Sequence, residues 1–450
     1  MEIYKDPEKT KKEVTELLQE LIRNKCVNDG THAEEMRNIE TIARYLDKYG
    51  LEYEIFESTK DRGNLLATFG NNNPRVMLGP SHVDVVPAVD EGWEVPPFSG
   101  EIKDGYIYGR GAIDMLNTVA AQTVAYAHLV TNPEFKPKGT LMLGIVSDEE
   151  AGGKWGVEWL LKNHYDKWKA DYVMTETGGF SLASGTNNVL MQVGEKGIYA
   201  TKIRYEGKQG HGSMPLASDN ALVKVSEAMY RLGNYNPPVE IQPYWKEFVN
   251  SFPISSIQKK LLTSKIFLPK IIKSLHEKGD PIAPLAHALT SMTISPNNIK
   301  GTIKFNVIPG DVTGEVDIRL LPGQDEKYAI KHIKKALGKD LFQKLEITHS
   351  LYYPGNASPF DTPLWEAMEK AVNELIPNSR ITPLVIPAVT DGRFYRLKGA
   401  VAYGAFLFSP DESMKDFLSL YHGKNERISV KSLWLGTQFF AKTIVNMLGS

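Results

Sequence analysis

The segment Ser81-His82-Val83-Asp84 places a histidine and a carboxylate two residues apart, directly after an apolar run at residues 76–79. Further carboxylates follow at Asp114 and in Asp148-Glu149-Glu150. Imidazole nitrogen and carboxylate oxygen are the ligands that zinc and similar divalent ions accept where cysteine is absent. This pattern predicts a metal-dependent hydrolase in which two ions share a water molecule.

Two bridged ions need several protein ligands, and the sequence offers His82, Asp114, Glu150, Glu176 and His422. Glu149 is next to one of these candidates and could be the base that takes a proton from the water. Asp84 could orient the His82 ring, because a ligating histidine usually donates its second ring N–H to an acceptor. A paired site would polarise a substrate carbonyl and lower the pKa of the bridging water.

The candidate ligands follow predicted strands. The apolar segment 140–146 leads directly into Asp148-Glu149-Glu150, and the segment 172–174 leads into Glu176 in the same way. Strands that alternate with helical patterns indicate an open, mostly parallel α/β sheet. Ligands of such sheets bind beyond the carboxyl ends of the strands, which is where the candidates lie.

The pattern changes after residue 192. Strands are predicted at 190–193, 199–205, 301–307 and 312–320, with a helix at 219–232, whereas residues 234–300 are rich in Pro and Lys and are predicted to be irregular. A chain of 450 residues is also too long for one ordinary core. We therefore expect a catalytic domain formed by residues 1–192 and 353–450, with an inserted α+β domain at residues 193–352.

Composition narrows the class of protein. Hydrophobic residues make up 42% and charged residues 24%, as in a globular protein, and the formal net charge of −2 gives no reason to expect nucleic acid. The single cysteine, Cys26, excludes an internal disulfide and a thiolate zinc site. The start of the chain lacks a signal-peptide pattern, and no apolar run is long enough to span a bilayer. We expect a cytoplasmic protein that is not embedded in a membrane.

Several short motifs occur together and in a fixed order. They are Ser81-His82-Val83-Asp84-Val85-Val86-Pro87, Trp93 with Pro97-Phe98, Asp104-Gly105, Gly109-Arg110-Gly111-Ala112-Ile113-Asp114, Asp148-Glu149-Glu150-Ala151-Gly152-Gly153, Gly210-His211-Gly212-Ser213-Met214-Pro215 and Tyr421-His422-Gly423. In these motifs the chain resembles the co-catalytic zinc hydrolases that include aminoacylase, acetylornithine deacetylase, succinyl-diaminopimelate desuccinylase, glutamate carboxypeptidase and carnosinase-like dipeptidases.

The resemblance implies a role for each residue in the motifs. Asp114 would bridge two zinc ions, with His82 and Glu176 completing one site and Glu150 and His422 the other; Co²⁺ or Mn²⁺ could replace zinc. Glu149 would be the general base, with Asp84 behind His82.

The inserted domain would be a lid that also forms a homodimer. His211 would then reach a neighbouring active site and help to hold the carbonyl oxyanion. Asn306 and Arg319 would contact the substrate carboxylate, while Thr390 and Gly404 would line the pocket. Arg319 could instead form a surface ion pair.

The chain departs from the family pattern where Met115-Leu116-Asn117 follows Asp114, because a lysine usually stands two residues after that aspartate. Glu176 favours N-acyl-amino acids or carboxypeptidase substrates, since several dipeptidase branches carry Asp there. The expected activity is cleavage of an amide bond next to a free carboxylate in an N-acyl-amino acid or small peptide. A dipeptidase is the nearest alternative, and a non-catalytic scaffold is disfavoured because every expected ligand is present.

Residues 257–273 form a basic amphipathic segment (IQKKLLTSKIFLPKIIK). A lid helix that packs its apolar face on the inserted domain is the favoured interpretation. The segment could also dock on a membrane surface or a partner, or border a pocket for an apolar acyl group.

Overall fold

A computed structural model describes residues 1–31, 34–181, 187–280, 282–301, 304–412, 417 and 419–449. The chain divides into two compact units. The first comprises Met1–Val193, Ser358–Leu384 and Thr390–Ser450, and the second comprises Gly194–Ala357 and Val385–Val389.

The main sheet has a parallel centre and antiparallel flanks. Its strands lie in the spatial order β1 (Glu54–Thr59), β2 (Arg62–Phe69), β6 (Thr140–Val146), β3 (Arg75–His82), β7 (Tyr172–Thr175), β18 (Val401–Gly404) and β9 (Asn188–Glu195), and β8 (Gly178–Ser181) and β17 (Arg380–Ile386) also pair with β9. The neighbours β6, β3, β7 and β18 run parallel. Every residue of β6 is buried, because a central parallel strand is covered on both faces. The predicted α/β fold class is confirmed.

Helices of the first unit pack beside this sheet. They are α1 (Pro7–Arg23), α2 (Met36–Asp47), α3 (Leu116–Val130), α4 (Val157–Asn163), α5 (Tyr165–Trp168), α13 (Pro363–Leu375), α14 (Gly392–Leu397) and α15 (Val430–Leu448), with a 3₁₀ turn at Glu149–Ala151. The helix α3 is buried almost all round, as its continuous apolar composition predicts. The helix α1 begins after Asp6, whose side chain accepts from Lys9 N at 3.0 Å.

A small sheet forms around the predicted hairpin. Its strands are β4 (Ile102–Lys103), β5 (Tyr106–Tyr108) and β19 (Arg427–Ser429). Asp104 and Gly105 in the turn both have positive φ, at 52° and 80°, as a tight two-residue hairpin requires. Because β19 pairs with β5, the segment just before β19 is held beside the chain that leads to Asp114.

The second unit is an antiparallel sheet covered by helices. The sheet order is β12 (Thr293–Lys300), β14 (Asp311–Leu320), β10 (Gly197–Glu206) and β15 (Glu346–Tyr353). The short strands β11 (Gly210–His211) and β13 (Val307–Ile308) pair with each other, and β16 (Asn356–Ala357) pairs with the end of β9 in the main sheet. Alternate residues of β14 are buried, which is the pattern of a sheet with one covered face. Residues of α6 (Ala221–Gly233) and α11 (Glu326–Leu337) share its core, and α12 (Lys339–Phe342) follows.

The expectation that residues 234–300 are irregular is wrong. This segment forms α7 (Pro243–Ser251), α8 (Ser256–Leu262), α9 (Leu268–Glu277) and α10 (Ile282–Thr290), and then β12. The prolines that suggested irregularity stand in the first turns of α7 and α9. There the missing N–H breaks no helical hydrogen bond. Of the described residues in the strand predicted at 301–307, only Val307 lies in a strand, β13; Thr302 and Ile303 lie outside the described residues.

Across the described ranges, none of the helices combines the length and the apolar composition needed to cross a membrane.

Candidate metal centre

Parallel strands bring three of the candidate ligands to one edge of the sheet. His82 is the last residue of β3, Glu176 directly follows β7, and Glu150 lies in the 3₁₀ turn after β6. Since β3 is hydrogen-bonded to both β6 and β7 in the parallel sense, the carboxyl ends of these strands meet. Asp114 lies ahead of α3, and His422 lies ahead of β19.

Five side chains form two groups that share Asp114. His82, Asp114 and Glu176 form one group, and Asp114, Glu150 and His422 form the other; within each group the potential ligand atoms lie within 4.8 Å of one another. Asp114 Oδ1 is 3.4 Å from His82 Nε2, whereas Asp114 Oδ2 is 3.1 Å from His422 Nε2. The two carboxylate oxygens of Asp114 therefore face different groups.

The donor atoms fit divalent cations. His82 Nδ1 lies 2.9 Å from the backbone oxygen of Asp84, and because a carbonyl can only accept, Nδ1 carries a proton and Nε2 is the ring nitrogen that a metal ion could bind. Among the described residues, His82 Nε2, Glu150 Oε1 and Glu176 Oε1 are buried without a hydrogen-bond partner. Buried polar atoms without partners call for a ligand, and this nitrogen and oxygen set suits zinc, manganese or cobalt.

The Asp84 carboxylate fixes the loop that carries the two glutamates. Its Oδ1 accepts from Glu149 N at 3.3 Å, and its Oδ2 accepts from Glu150 N at 3.1 Å and from Asn28 Nδ2 at 2.9 Å. Burial acts to raise the pKa of Asp84, but hydrogen bonding and the charge of His82, together with Asn28, bring the pKa below its usual value. Asp84 is therefore a buried anion held by several donors.

A buried polar network that the sequence did not indicate lies behind Asp84. Asn28 also donates to Asp148 Oδ1 at 3.3 Å, and Trp155 N donates to Asp148 Oδ2 at 2.8 Å. The Arg62 guanidinium donates to Asp148 and, at 2.8 Å, to Glu35. Asn28, Glu35 and Arg62 precede every motif in the chain and belong to no motif themselves, so no local signal points to them.

Glu426 plays a comparable part on the Asp114 side. Its side chain is fully buried and accepts from Arg110 Nη1 at 2.5 Å, Ile113 N at 2.9 Å and Asp114 N at 3.3 Å. Arg110 Nη2 in turn donates to the backbone oxygen of His422 at 3.1 Å. Glu426 and Arg110 therefore tie two of the candidate ligands together, and the only sequence signal is that Glu426 stands four residues after His422.

Negative charge accumulates around Glu149. Burial raises the pKa of Glu149 well above its usual value, and the neighbouring charge of Glu176 raises it further, while His82 opposes the shift. Asp391, which follows the predicted pocket residue Thr390, is buried with neither carboxylate oxygen hydrogen-bonded. Burial raises the pKa of Asp391 to about 7. Such a cluster of carboxyls favours bound cations.

Two predicted pocket residues also lie in the first unit. Thr390 is buried, and its backbone oxygen accepts from Arg393 Nη1 at 2.6 Å. Gly404 ends β18, and a Cβ there would lie 2.1 Å from the backbone oxygen of Glu176. The absence of a side chain at Gly404 thus lets the chain around Glu176 pass close by.

The remaining predicted residues belong to the second unit. His211 is exposed on β11, where it pairs with Val307, and the adjacent Gly212 N donates to Asn306 O at 2.7 Å. Arg319 on β14 forms an ion pair with Asp317, with Nε 2.8 Å from Oδ1. His211 and Asn306 are thus neighbours, and Arg319 makes the ion pair that the sequence left open as an alternative.

A histidine–carboxylate cluster at the carboxyl edge of a parallel-centred α/β sheet defines a metal-dependent hydrolase. The chain belongs to peptidase family M20/M25/M40, whose model matches residues 80–446. It is a metal-dependent amidohydrolase or peptidase.

Individual relatives agree with this assignment. The chain is 28% identical over 467 residues to an N-fatty-acyl-amino acid synthase/hydrolase PM20D1 of Xenopus tropicalis, covering 98% of this chain and 86% of the relative. It is 26% identical to aminoacylase-1 of Dictyostelium discoideum, and the match covers 89% of this chain and 90% of that relative. The fold matches an M20 family metallo-carboxypeptidase, Sso-CP2 from Sulfolobus solfataricus, with a TM-score of 0.71, 20% identity, and 97% and 99% of the two chains covered.

Proposed function

We propose that this protein hydrolyses the amide bond of an N-acyl-amino acid next to its free carboxylate. The observation that carries the proposal is the pair of ligand groups sharing Asp114, with Glu149 beside them. The similarity to an N-fatty-acyl-amino acid synthase/hydrolase and to aminoacylase-1 supports this substrate class. Glu176 favours an N-acyl-amino acid over a dipeptide as the substrate.

His82, Asp114 and Glu176 would hold one zinc ion, and Asp114, Glu150 and His422 a second. When bound, the ions would polarise the scissile carbonyl and activate water. Glu149 would take the proton from the attacking water and later give it to the leaving nitrogen. Burial raises the pKa of the Glu149 carboxyl, and a carboxyl with a raised pKa can both accept a proton and return it. Asp84 supports this role because it anchors the backbone of Glu149.

Further predicted residues would recognise the substrate. Asn306 and Arg319 would bind the substrate carboxylate, and His211 would stabilise the oxyanion in a homodimer formed through the inserted domain. Arg319 already donates through Nε to Asp317, but a guanidinium has five N–H donors, so it can bind a second carboxylate. Thr390 and Gly404 would border the pocket.

The substitution Glu149→Gln tests the mechanism. It keeps the size of the side chain but removes the base, so we expect turnover to fall by at least about 10²–10⁴-fold, while metal content measured by mass spectrometry stays near that of wild type. Glu134→Gln, at an exposed site, is the matched control and should leave turnover unchanged. Near-normal turnover in Glu149→Gln would refute the assignment.

Substrate and metal are tested with one panel. N-acetyl-, N-succinyl- and N-long-acyl-amino acids and dipeptides are assayed with Zn²⁺, Co²⁺ and Mn²⁺, and faster turnover of dipeptides would favour the dipeptidase alternative. The homodimer is tested by measuring mass in solution. The cytoplasmic location stays a prediction that cell fractionation can check.

A further inference from the structure

Four helices of the second unit, α7 to α10, border a cavity of about 170 Å³. All of its lining side chains are apolar, and they include Trp245, Phe248, Leu262, Ile272, Leu275 and Leu289. The one polar side-chain atom among the lining residues, Trp245 Nε1, donates to the backbone oxygen of Leu262 at 2.9 Å. The lining side chains therefore offer water no free partner, as in the apolar cavities that bind small hydrocarbons.

The helix α9 presents an apolar stripe to this cavity. Leu268, Ile271, Ile272 and Leu275 recur at the spacing of one helical face, and all four line the cavity. Only Leu268 is fully buried, whereas the other three are half-buried. The stripe thus lacks part of the packing that a helix of this amphipathicity normally obtains from its own domain.

The surroundings of the cavity carry positive charge. Residues 243–290 contain seven lysines but only three acidic residues, Glu247, Glu277 and Asp280. Most of these lysines are exposed, among them Lys260 and Lys265. An apolar cavity within a basic surface is complementary to a molecule with a hydrocarbon chain and an anionic head.

We propose that the cavity binds the aliphatic chain of a long-chain carboxylate. The occupant would be a long-chain N-acyl-amino acid or the fatty acid released from it, an identity that rests on the proposed function. The lysines would attract the anionic head, and the stripe on α9 would complete its packing against the chain. This assigns residues 243–290 to the selection of the acyl group.

Laurate binding, measured by calorimetry, tests the cavity without requiring turnover. The variant Ile272→Glu places a carboxylate in the lining, and Ile266→Glu makes the same change at a side chain that is 69% exposed and does not line the cavity. We expect wild type and Ile266→Glu to bind laurate alike and Ile272→Glu to bind it at least about tenfold more weakly, because a hydrocarbon chain cannot solvate the buried charge. If Ile272→Glu does not fold, Ala286→Leu, which fills the cavity, replaces it.

Absence of laurate binding by wild type, or equal weakening in both variants, would overturn the proposal; the second result would place the chain on the exposed surface instead. Kinetics then separate substrate from product. For N-lauroyl-glycine, kcat/KM should fall in Ile272→Glu, while that for N-acetyl-glycine should not; an equal fall for both substrates would contradict the proposal. If wild type cleaves neither substrate, the proposed function is wrong, but the laurate measurement still decides the cavity.

Discussion

Asp84 shows how one residue can serve two neighbours through different atoms. Its backbone oxygen, and not its carboxylate, is the close partner of His82 Nδ1, at 2.9 Å against 3.5 Å for Oδ1. The carboxylate instead accepts from the backbone amides of Glu149 and Glu150. Asp84 therefore sets both the orientation of a candidate ligand and the position of the candidate base.

Glu426→Ala should loosen the centre without removing any ligand. The substitution leaves Arg110 buried without its carboxylate and frees the amides of Ile113 and Asp114. Breaking a buried ion pair in this way costs about 3–5 kcal/mol. We expect a lower unfolding temperature and weaker zinc binding in a metal titration. The control Glu91→Ala, at an exposed site, should change neither the unfolding temperature nor the zinc affinity. Unchanged zinc affinity in Glu426→Ala would show that Glu426 does not support the Asp114 loop.

At the residue scale, the sequence identified side chains that follow strands but not those that contact them from far away. His82, Glu150 and Glu176 could be found because each comes after an apolar run that predicts a strand. Asn28 and Arg62 could not, because their contacts with Asp148 span 120 and 86 residues. Hydrogen bonds of that kind depend on packing that no local pattern encodes.

At the scale of elements, strand ends were easier to predict than helices that begin with proline. The segments β6 and β7 are continuous apolar runs, and buried parallel strands have that composition. The helices α7 and α9 carry Pro in their first turn, so a residue that favours the start of a helix gives the same local signal as irregular structure.

The close passage of β18 and the Glu176 segment predicts the effect of Gly404→Ala. The added methyl group would lie 2.1 Å from the backbone oxygen of Glu176 and 2.2 Å from that of Thr177. Because backbone must then shift, we expect destabilisation of about 1–3 kcal/mol and weaker metal binding, measured by thermal unfolding and zinc titration. The control is Gly233→Ala, where the new methyl group meets nothing closer than 3.5 Å; equal stability of the two variants would contradict this view of Gly404.

At the scale of the whole molecule, the carboxyls gathered at the sheet edge should make stability depend on metal. Removing metal with a chelator leaves Asp114, Glu150 and Glu176 close together without the cation that their oxygens would share. A ligand at a thousand times its Kd stabilises a protein by about 4 kcal/mol, which for domains of this size corresponds to a shift on the order of 10 °C. We expect the unfolding temperature to fall after chelation and to recover with Zn²⁺. The unfolding temperature of Asp114→Asn should respond little to chelation. An unfolding temperature of wild type that chelation leaves unchanged would argue against a structural contribution of the metal.

The larger organisation was predicted to the extent that it follows from periodicity. The class of the main sheet and the hairpin at Asp104-Gly105 were predicted correctly, because apolar runs and turn residues are local signals. For residues 257–273 the amphipathic pattern predicted a helix and, as an alternative, the border of an apolar pocket, but it did not predict four separate helices in residues 243–290, since the way that short amphipathic segments pack on one another depends on tertiary contacts.

The network of Asn28, Glu35 and Arg62 has a consequence for where the functional part of the chain begins. The family's model matches from residue 80, yet the buried partners of Asp84 and Asp148 lie between residues 28 and 62. A chain trimmed to the matched region would keep every candidate ligand. It would lose the Asn28 amide that donates to Asp84 and Asp148 and the Arg62 guanidinium that compensates the charge of Asp148. The network that holds the candidate site therefore extends beyond the motifs, to Asn28, Glu35 and Arg62.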